Sequence, residues 1–120
     1  MPHGPRFVKL TSEAKSKIRE VTAADARQQQ QAGTLLLDVR ETEEWAKERA
    51  EGAVHLSKGI LEVKIEEKVP DPATPIILYC GGGNRSALAA ENLQRMGYTN
   101  VTSMSGGFKA WQTQGLPTKS

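Results

Sequence analysis

Residues 75–91 constrain the fold more than any other stretch. They read Pro75-Ile76-Ile77-Leu78-Tyr79-Cys80, then Gly81-Gly82-Gly83-Asn84-Arg85-Ser86, then Ala87-Leu88-Ala89-Ala90-Glu91. A short, continuous apolar run bounded by turn signals reads as a buried strand, as in a parallel sheet covered on both faces. The glycines make a flexible turn rich in backbone N–H groups. Ser86 reads as the N-cap of the helix that follows, and Asn84 as a residue suited to a left-handed turn position. Strand, loop and helix in this order form one step of an α/β repeat.

The rest of the chain repeats the alternation. Ile18 to Val21 reads as a short strand. Thr22-Ala23-Ala24-Asp25 has capping-box spacing and opens a helix that Gly33 closes. Leu35-Leu36-Leu37-Asp38-Val39 is a second buried strand, after which Thr42 is expected to cap a short helix carrying Glu43 and Glu44. Ala53 to Leu56 reads as a strand, and Ile60 to Lys68 as a helix stopped by Pro70 and Pro72. Ala89, Leu93 and Met96 share one helix face that Gly97 ends. Val101 to Met104 is the last strand, and Gly106-Gly107 leads into a helix with Phe108 and Trp111, closed by Gly115 and Pro117. The pattern predicts an α/β fold: a central, mostly parallel five-stranded sheet with helices on both faces. Residues 1–17 read as an N-terminal extension, with a short helix near Ser12 to Lys17, and residues 18–120 as the domain.

In such sheets, sites lie beyond the carboxyl ends of the strands. Cys80 stands at one such end and Asp38-Val39-Arg40 at another, so two separate stretches converge on one face. A lone cysteine is most simply a small buried hydrophobe. The glycines argue otherwise, because each costs roughly 0.5–1 kcal/mol of backbone entropy relative to alanine where the chain is ordered. A turn whose N–H groups face inward, followed by a helix N-terminus, holds negative charge. That setting favours the thiolate, the reactive form of cysteine.

Composition excludes several classes. The chain has 120 residues, a net charge of +2, scattered Lys and Arg, and few aromatics, which argues against nucleic-acid binding. It has no apolar run long enough for a membrane span, and its N-terminus lacks an apolar signal core, so a cytoplasmic protein is expected. One cysteine excludes an intramolecular disulfide, and two distant histidines, His3 and His55, make a structural metal site improbable.

Taken together these residues resemble the rhodanese-like domain family of sulfurtransferases over about Ile18 to Pro117. The carriers are Leu37-Asp38-Val39-Arg40 with Glu43, Glu44 and Trp45; Gly52-Ala53-Val54-His55-Leu56; Cys80 through Ser86; and Gly106-Gly107 with Trp111, then Gly115-Leu116-Pro117. The family's six-residue loop begins with the nucleophilic cysteine and often ends in Arg before Ser or Thr, as Cys80 to Arg85 and Ser86 do. The resemblance implies a ping-pong cycle of the thiosulfate sulfurtransferase type through a Cys80 persulfide. The donor is a small anion such as thiosulfate, the acceptor cyanide, a cellular thiol or a protein, and no cofactor is needed. Gly81, Gly82, Gly83, Asn84, Arg85 and Ser86 would bind substrate. Many members carry a basic residue or Gln directly after the cysteine, where this chain has Gly81, and that change weighs against thiosulfate as the best donor.

Single residues have plainer readings as well. Arg85 either attracts the donor or pairs with a carboxylate. Asp38 reads as a structural tie on the active face, Arg40 as a partner of Glu43 or Glu44, His55 as packed, Trp45 and Trp111 as core, and Lys58 as solvated. Two other functions are weighed. A cysteine-dependent phosphatase or arsenate reductase needs five residues between Cys and Arg, whereas four separate Cys80 from Arg85. A non-enzymatic binding module, or a carrier passing sulfur from protein to protein, retains the fold; such modules commonly lack the cysteine.

Overall fold

The apolar runs of residues 35–39 and 76–79 become adjacent central strands whose side chains divide between two cores. A computed structural model describes residues 3–120, and the elements below are taken from it. Strands β1 (Arg19–Val21), β2 (Leu35–Asp38), β4 (Val54–His55), β5 (Ile76–Tyr79) and β6 (Val101–Met104) form a parallel sheet in the order β1-β6-β5-β2-β4. Helices α4 (Lys58–Lys68) and α5 (Asn84–Arg95) cover one face, where Leu61, Ile65, Ala89, Ala90 and Leu93 pack on Leu37, Ile76 and Leu78. Helices α2 (Ala23–Gln31) and α6 (Gly107–Thr113) cover the other, where Ala26, Phe108 and Trp111 pack with Leu36, Ile77 and Tyr79. The predicted fold class is therefore observed.

Helix α1 (Pro5–Lys15) lies outside α5, with Thr11 and Ala14 buried beneath it. It starts earlier than the expected helix near Ser12, because Pro5 at the first helical position has its φ already set and lacks only an N–H that would be unpaired there. A two-stranded antiparallel ribbon, β3 (Arg49–Ala50) with β7 (Thr118–Lys119), has no counterpart in the sequence reading. Helix α3 (Thr42–Lys47) is capped by Glu41 rather than Thr42, and the Glu44 carboxylate accepts the Glu41 N–H at 3.1 Å. Met96 is not part of the buried face of α5: it is the C-cap and is exposed, so that face ends at Leu93. No described helix is long and apolar enough to cross a membrane.

Strand register sets the site. Asp38 pairs with Tyr79 across β2 and β5, and the Val39 N–H donates to the Tyr79 carbonyl at 2.9 Å. The residues that follow, Val39-Arg40 and Cys80-Gly81, thus leave the sheet side by side.

Candidate active site

Cys80 is buried at 1% exposure, and its Sγ accepts backbone N–H groups from Gly83 (3.1 Å) and Ser86 (3.3 Å). The Ser86 N–H lies in the first turn of α5, where N–H groups have no partner within the helix. The sulfur therefore takes one of the donors at the positive end of that helix. The Ser86 hydroxyl stands 3.5 Å from Sγ and 2.8 Å from the hydroxyl of Ser103, a buried polar residue on β6.

Backbone geometry orients these donors. Gly83 is the N-cap of α5 with φ +98°, so the left-handed position belongs to Gly83. Asn84 is the first helical residue and has no positive φ. The expectations of a left-handed Asn84 and an N-cap Ser86 are both corrected: glycine takes the left-handed position without a Cβ penalty, which starts the helix earlier and buries Ser86 in its first turn. On the other side of the loop, α6 donates Phe108 N–H to the Cys80 carbonyl (2.7 Å) and Lys109 N–H to the Gly81 carbonyl (3.1 Å). With those carbonyls taken by α6, the N–H groups of Gly83 and Ser86 are left to the sulfur.

A cavity of about 330 Å³ lies at the loop, lined by His3, Phe7, Cys80, Gly82, Asn84 and Arg85. Of the sequence-predicted residues, Cys80, Gly82, Asn84 and Arg85 line it, while Gly81, Gly83 and Ser86 shape the loop behind. Arg85 is held by Glu44 of α3 through two hydrogen bonds of 2.8 and 3.1 Å. These bonds raise the Arg85 pKa and hold the Glu44 carboxyl below its usual range. A Cβ at Gly81 would stand 3.1 Å from Arg85 Nη2, so a side chain there would press the guanidinium aside by a few tenths of an ångström.

Asp38 and Arg40 are buried beside the loop and do not line this cavity. Arg40 pairs with Asp38 (2.8 Å), not with Glu43 or Glu44 as expected, because the turn after β2 brings the guanidinium back onto a carboxylate that has no exposure at all. Burial alone would lower the Arg40 pKa; the Asp38 bonds and charge overcome it and raise the value. Arg40 also donates to the Glu48 carbonyl (2.7 Å) and lies 4.4 Å over the Phe108 ring. Tyr79 beneath it has a raised pKa, from burial and then Asp38. His55 donates Nε2–H to the Arg40 carbonyl at 2.8 Å and stacks on Trp45 with centroids 4.9 Å apart. Trp45 is half-buried, not a core residue, since α3 lies at the sheet edge with its tryptophan on His55; Trp111 is core as expected. Lys58 heads α4 and is half-buried away from the cavity lining.

Sequence reasoning missed Ser103, Phe7 and His3. A lone serine in an apolar strand was the available signal for the first. Nothing in the local pattern ties residues 3 and 7 to residue 80.

A family model of the Rhodanese-like domain matches residues 22–114. The chain belongs to the rhodanese-like domain family. Among solved structures, it is 32% identical to a Rhodopseudomonas palustris protein of unknown function described as a possible tyrosine phosphatase, with a TM-score of 0.84 and 99% of each chain covered. It is 27% identical to the polysulfide-sulfur transferase homodimer of Wolinella succinogenes, with a TM-score of 0.82, 95% of this chain and 87% of that chain covered. It shares 24% identity and a TM-score of 0.80 with a thiosulfate sulfurtransferase of Pseudomonas aeruginosa, over 89% of this chain and 21% of that one. That last likeness is one of fold.

Proposed function

We propose that this rhodanese-like domain is a sulfurtransferase that carries a sulfane sulfur on Cys80. The observation that carries the reading is the position of Cys80, which lines the cavity while its Sγ accepts backbone N–H groups from Gly83 and Ser86. In the first half-reaction the Cys80 thiolate attacks the outer sulfur of a donor such as thiosulfate. The donor S–S bond breaks, sulfite leaves with the electron pair, and Cys80 holds a persulfide. In the second, cyanide or a thiol attacks the terminal sulfur and departs as thiocyanate or a new persulfide, and the Cys80 thiolate returns. Covalent catalysis of this kind divides one hard transfer into two easier ones. Backbone N–H groups of the Gly81–Ser86 loop would hold the terminal sulfur and the departing anion. Asp38 and Arg40 support the loop from the neighbouring strand end. A protein thiol serves as acceptor by the same chemistry, and a reducing cytoplasmic setting fits a single free thiol.

The Rhodopseudomonas relative's description raises a phosphatase reading. Two features weigh against it here. The loop has four residues between Cys80 and Arg85, and the Arg85 guanidinium is already engaged by both Glu44 oxygens. A tetrahedral phosphate would find neither the longer ring of donors nor a free arginine.

The test is the intact mass of wild type and Cys80→Ser after thiosulfate or a polysulfide. The expected result is a gain of one sulfur atom in wild type alone, reversed by cyanide with release of thiocyanate. No gain from any sulfane donor by the folded, reduced protein, together with turnover of an aryl phosphate, would overturn the reading.

A further inference from the structure

Helix α1 precedes the stretch that matches the family, residues 22–114, yet it walls the cavity. Its body is fixed on α5. Thr11 and Ala14 are buried, Gln94 Nε2 donates to the Lys17 carbonyl at 3.0 Å, and Lys17 Nζ lies 3.4 Å from Glu91. So held, α1 presents the half-buried Phe7 ring to the cavity beside His3, with ring centroids 4.9 Å apart and planes tilted by 59°.

Size and charge then point to one class of donor. A cavity of about 330 Å³ falls within the ~300–1,000 Å³ range of pockets for small organic ligands. On the side walled by Phe7, thiosulfate would set its charged oxygens against an aromatic ring, which offers them no hydrogen-bond donor in place of water. The Arg85 charge is already matched by Glu44, so a dianion gains less there than at a free guanidinium. An aliphatic or aromatic group in the same place loses nothing and buries apolar area.

We infer that Phe7 is a specificity-determining residue, its ring forming the apolar wall against which the organic group of a small persulfide donor, R–S–SH, packs. This rests on the sulfur-transfer reading above. The Cys80 thiolate attacks the terminal sulfur of R–S–SH. The donor S–S bond breaks, R–S⁻ leaves with the electron pair, and Cys80 keeps the transferred sulfur with its proton as –S–S–H. Atoms and charge balance with no outside oxidant.

The experiment measures the second-order rate of sulfur loading on Cys80, by intact mass, in full-length wild type, Phe7→Ala and Phe7→Gln. The donors are benzyl persulfide released from a precursor and thiosulfate. The ratio of the two rates is compared between proteins, which removes their different intrinsic reactivities. Losing the ring should lower that ratio about tenfold, the scale of apolar-pocket discrimination, chiefly through slower loading from the organic persulfide. Phe7→Gln keeps a long, helix-compatible side chain, so it decides the matter if Phe7→Ala unfolds. An unchanged ratio, or equal losses with both donors, overturns the inference and leaves sulfur transfer standing. Failure of wild type to load from benzyl persulfide while thiosulfate or polysulfide loads it overturns the inference alone; failure with all three, together with turnover of an aryl phosphate, overturns both.

Discussion

Replacing Gly107 with alanine tests how the cysteine loop is held. Gly107 has φ +56°, and a Cβ there would stand 2.7 Å from both the carbonyl carbon and the oxygen of Gly81. Those are backbone atoms of the loop, so no side chain can swing aside. A non-glycine residue in the left-handed region costs roughly 1–2 kcal/mol, and overpacking adds roughly 1–3 kcal/mol. Gly115 is the control: its φ is +68°, but a Cβ there meets nothing within 4 Å. Gly115→Ala therefore carries the conformational cost alone. The difference between the variants, about 1–3 kcal/mol, belongs to the clash. For a domain of this size that difference is a gap of roughly 5–15 °C in thermal midpoint. The catalytic consequence is larger. If the clash pushes α6 and the loop apart by about 1 Å, the N–H groups of Gly83 and Ser86 lose their aim at Sγ, and a misplacement of that size costs on the order of 100-fold in rate. Thermal melts and sulfur loading on Cys80 read the two effects separately. If Gly107→Ala melts no lower and loads no slower than Gly115→Ala, the close approach of α6 does not hold the loop.

Two further predictions concern the charged residues. Arg40→Met strands Asp38 as a buried charge and should cost about 3–5 kcal/mol, whereas adding Asp38→Leu should recover most of it, because a buried pair replaced by apolar residues is often close to neutral; urea midpoints of the single and double variants measure both. Glu44 has a depressed folded pKa, so its pair with Arg85 stabilises above the unfolded glutamate value of about 4.3 and is lost as pH falls through the lower folded value. Both side chains are about one-third exposed, which limits the pair to ~0–1 kcal/mol. The melting gap between wild type and Glu44→Gln should hold above about pH 4.3 and close as pH falls through the depressed folded value; a gap that persists in strong acid would place the effect elsewhere.

The sheet and the cysteine loop are legible in the sequence because their signals are local and continuous. Residues 76–79 are an unbroken apolar run, residues 35–39 are apolar but for Asp38, and three successive glycines follow Cys80. The errors arise where two local rules compete or where contacts are distant. Ser86 has the propensity of an N-cap, but Gly83 reaches the left-handed region at lower cost and takes the cap, leaving Ser86 a place beside the sulfur. Arg40 has Glu43 and Glu44 close in sequence, yet the turn after β2 folds it back on Asp38, where burial makes the pair exclusive. Strands β3 and β7 have two residues each, too few to show a period. Phe7 comes to share a cavity with Cys80 through the packing of α1 on α5, and no local pattern encodes that.

The division of labour within the site follows from these contacts. Helix α6 takes the carbonyls of Cys80 and Gly81, and the N-terminal turn of α5 gives its N–H groups to the sulfur. Backbone dipoles thus stabilise charge on sulfur, and they do so for any sulfane donor, since they touch only the atoms common to all. Arginine adds little selectivity, because Arg85 is matched by Glu44 and Arg40 by Asp38. Discrimination between donors must then come from groups that touch the part of the donor beyond its transferred sulfur. Among the described residues lining the cavity, Phe7 and His3 lie outside the loop. A loop built from backbone can keep one chemistry while the helix laid across it changes the substrate.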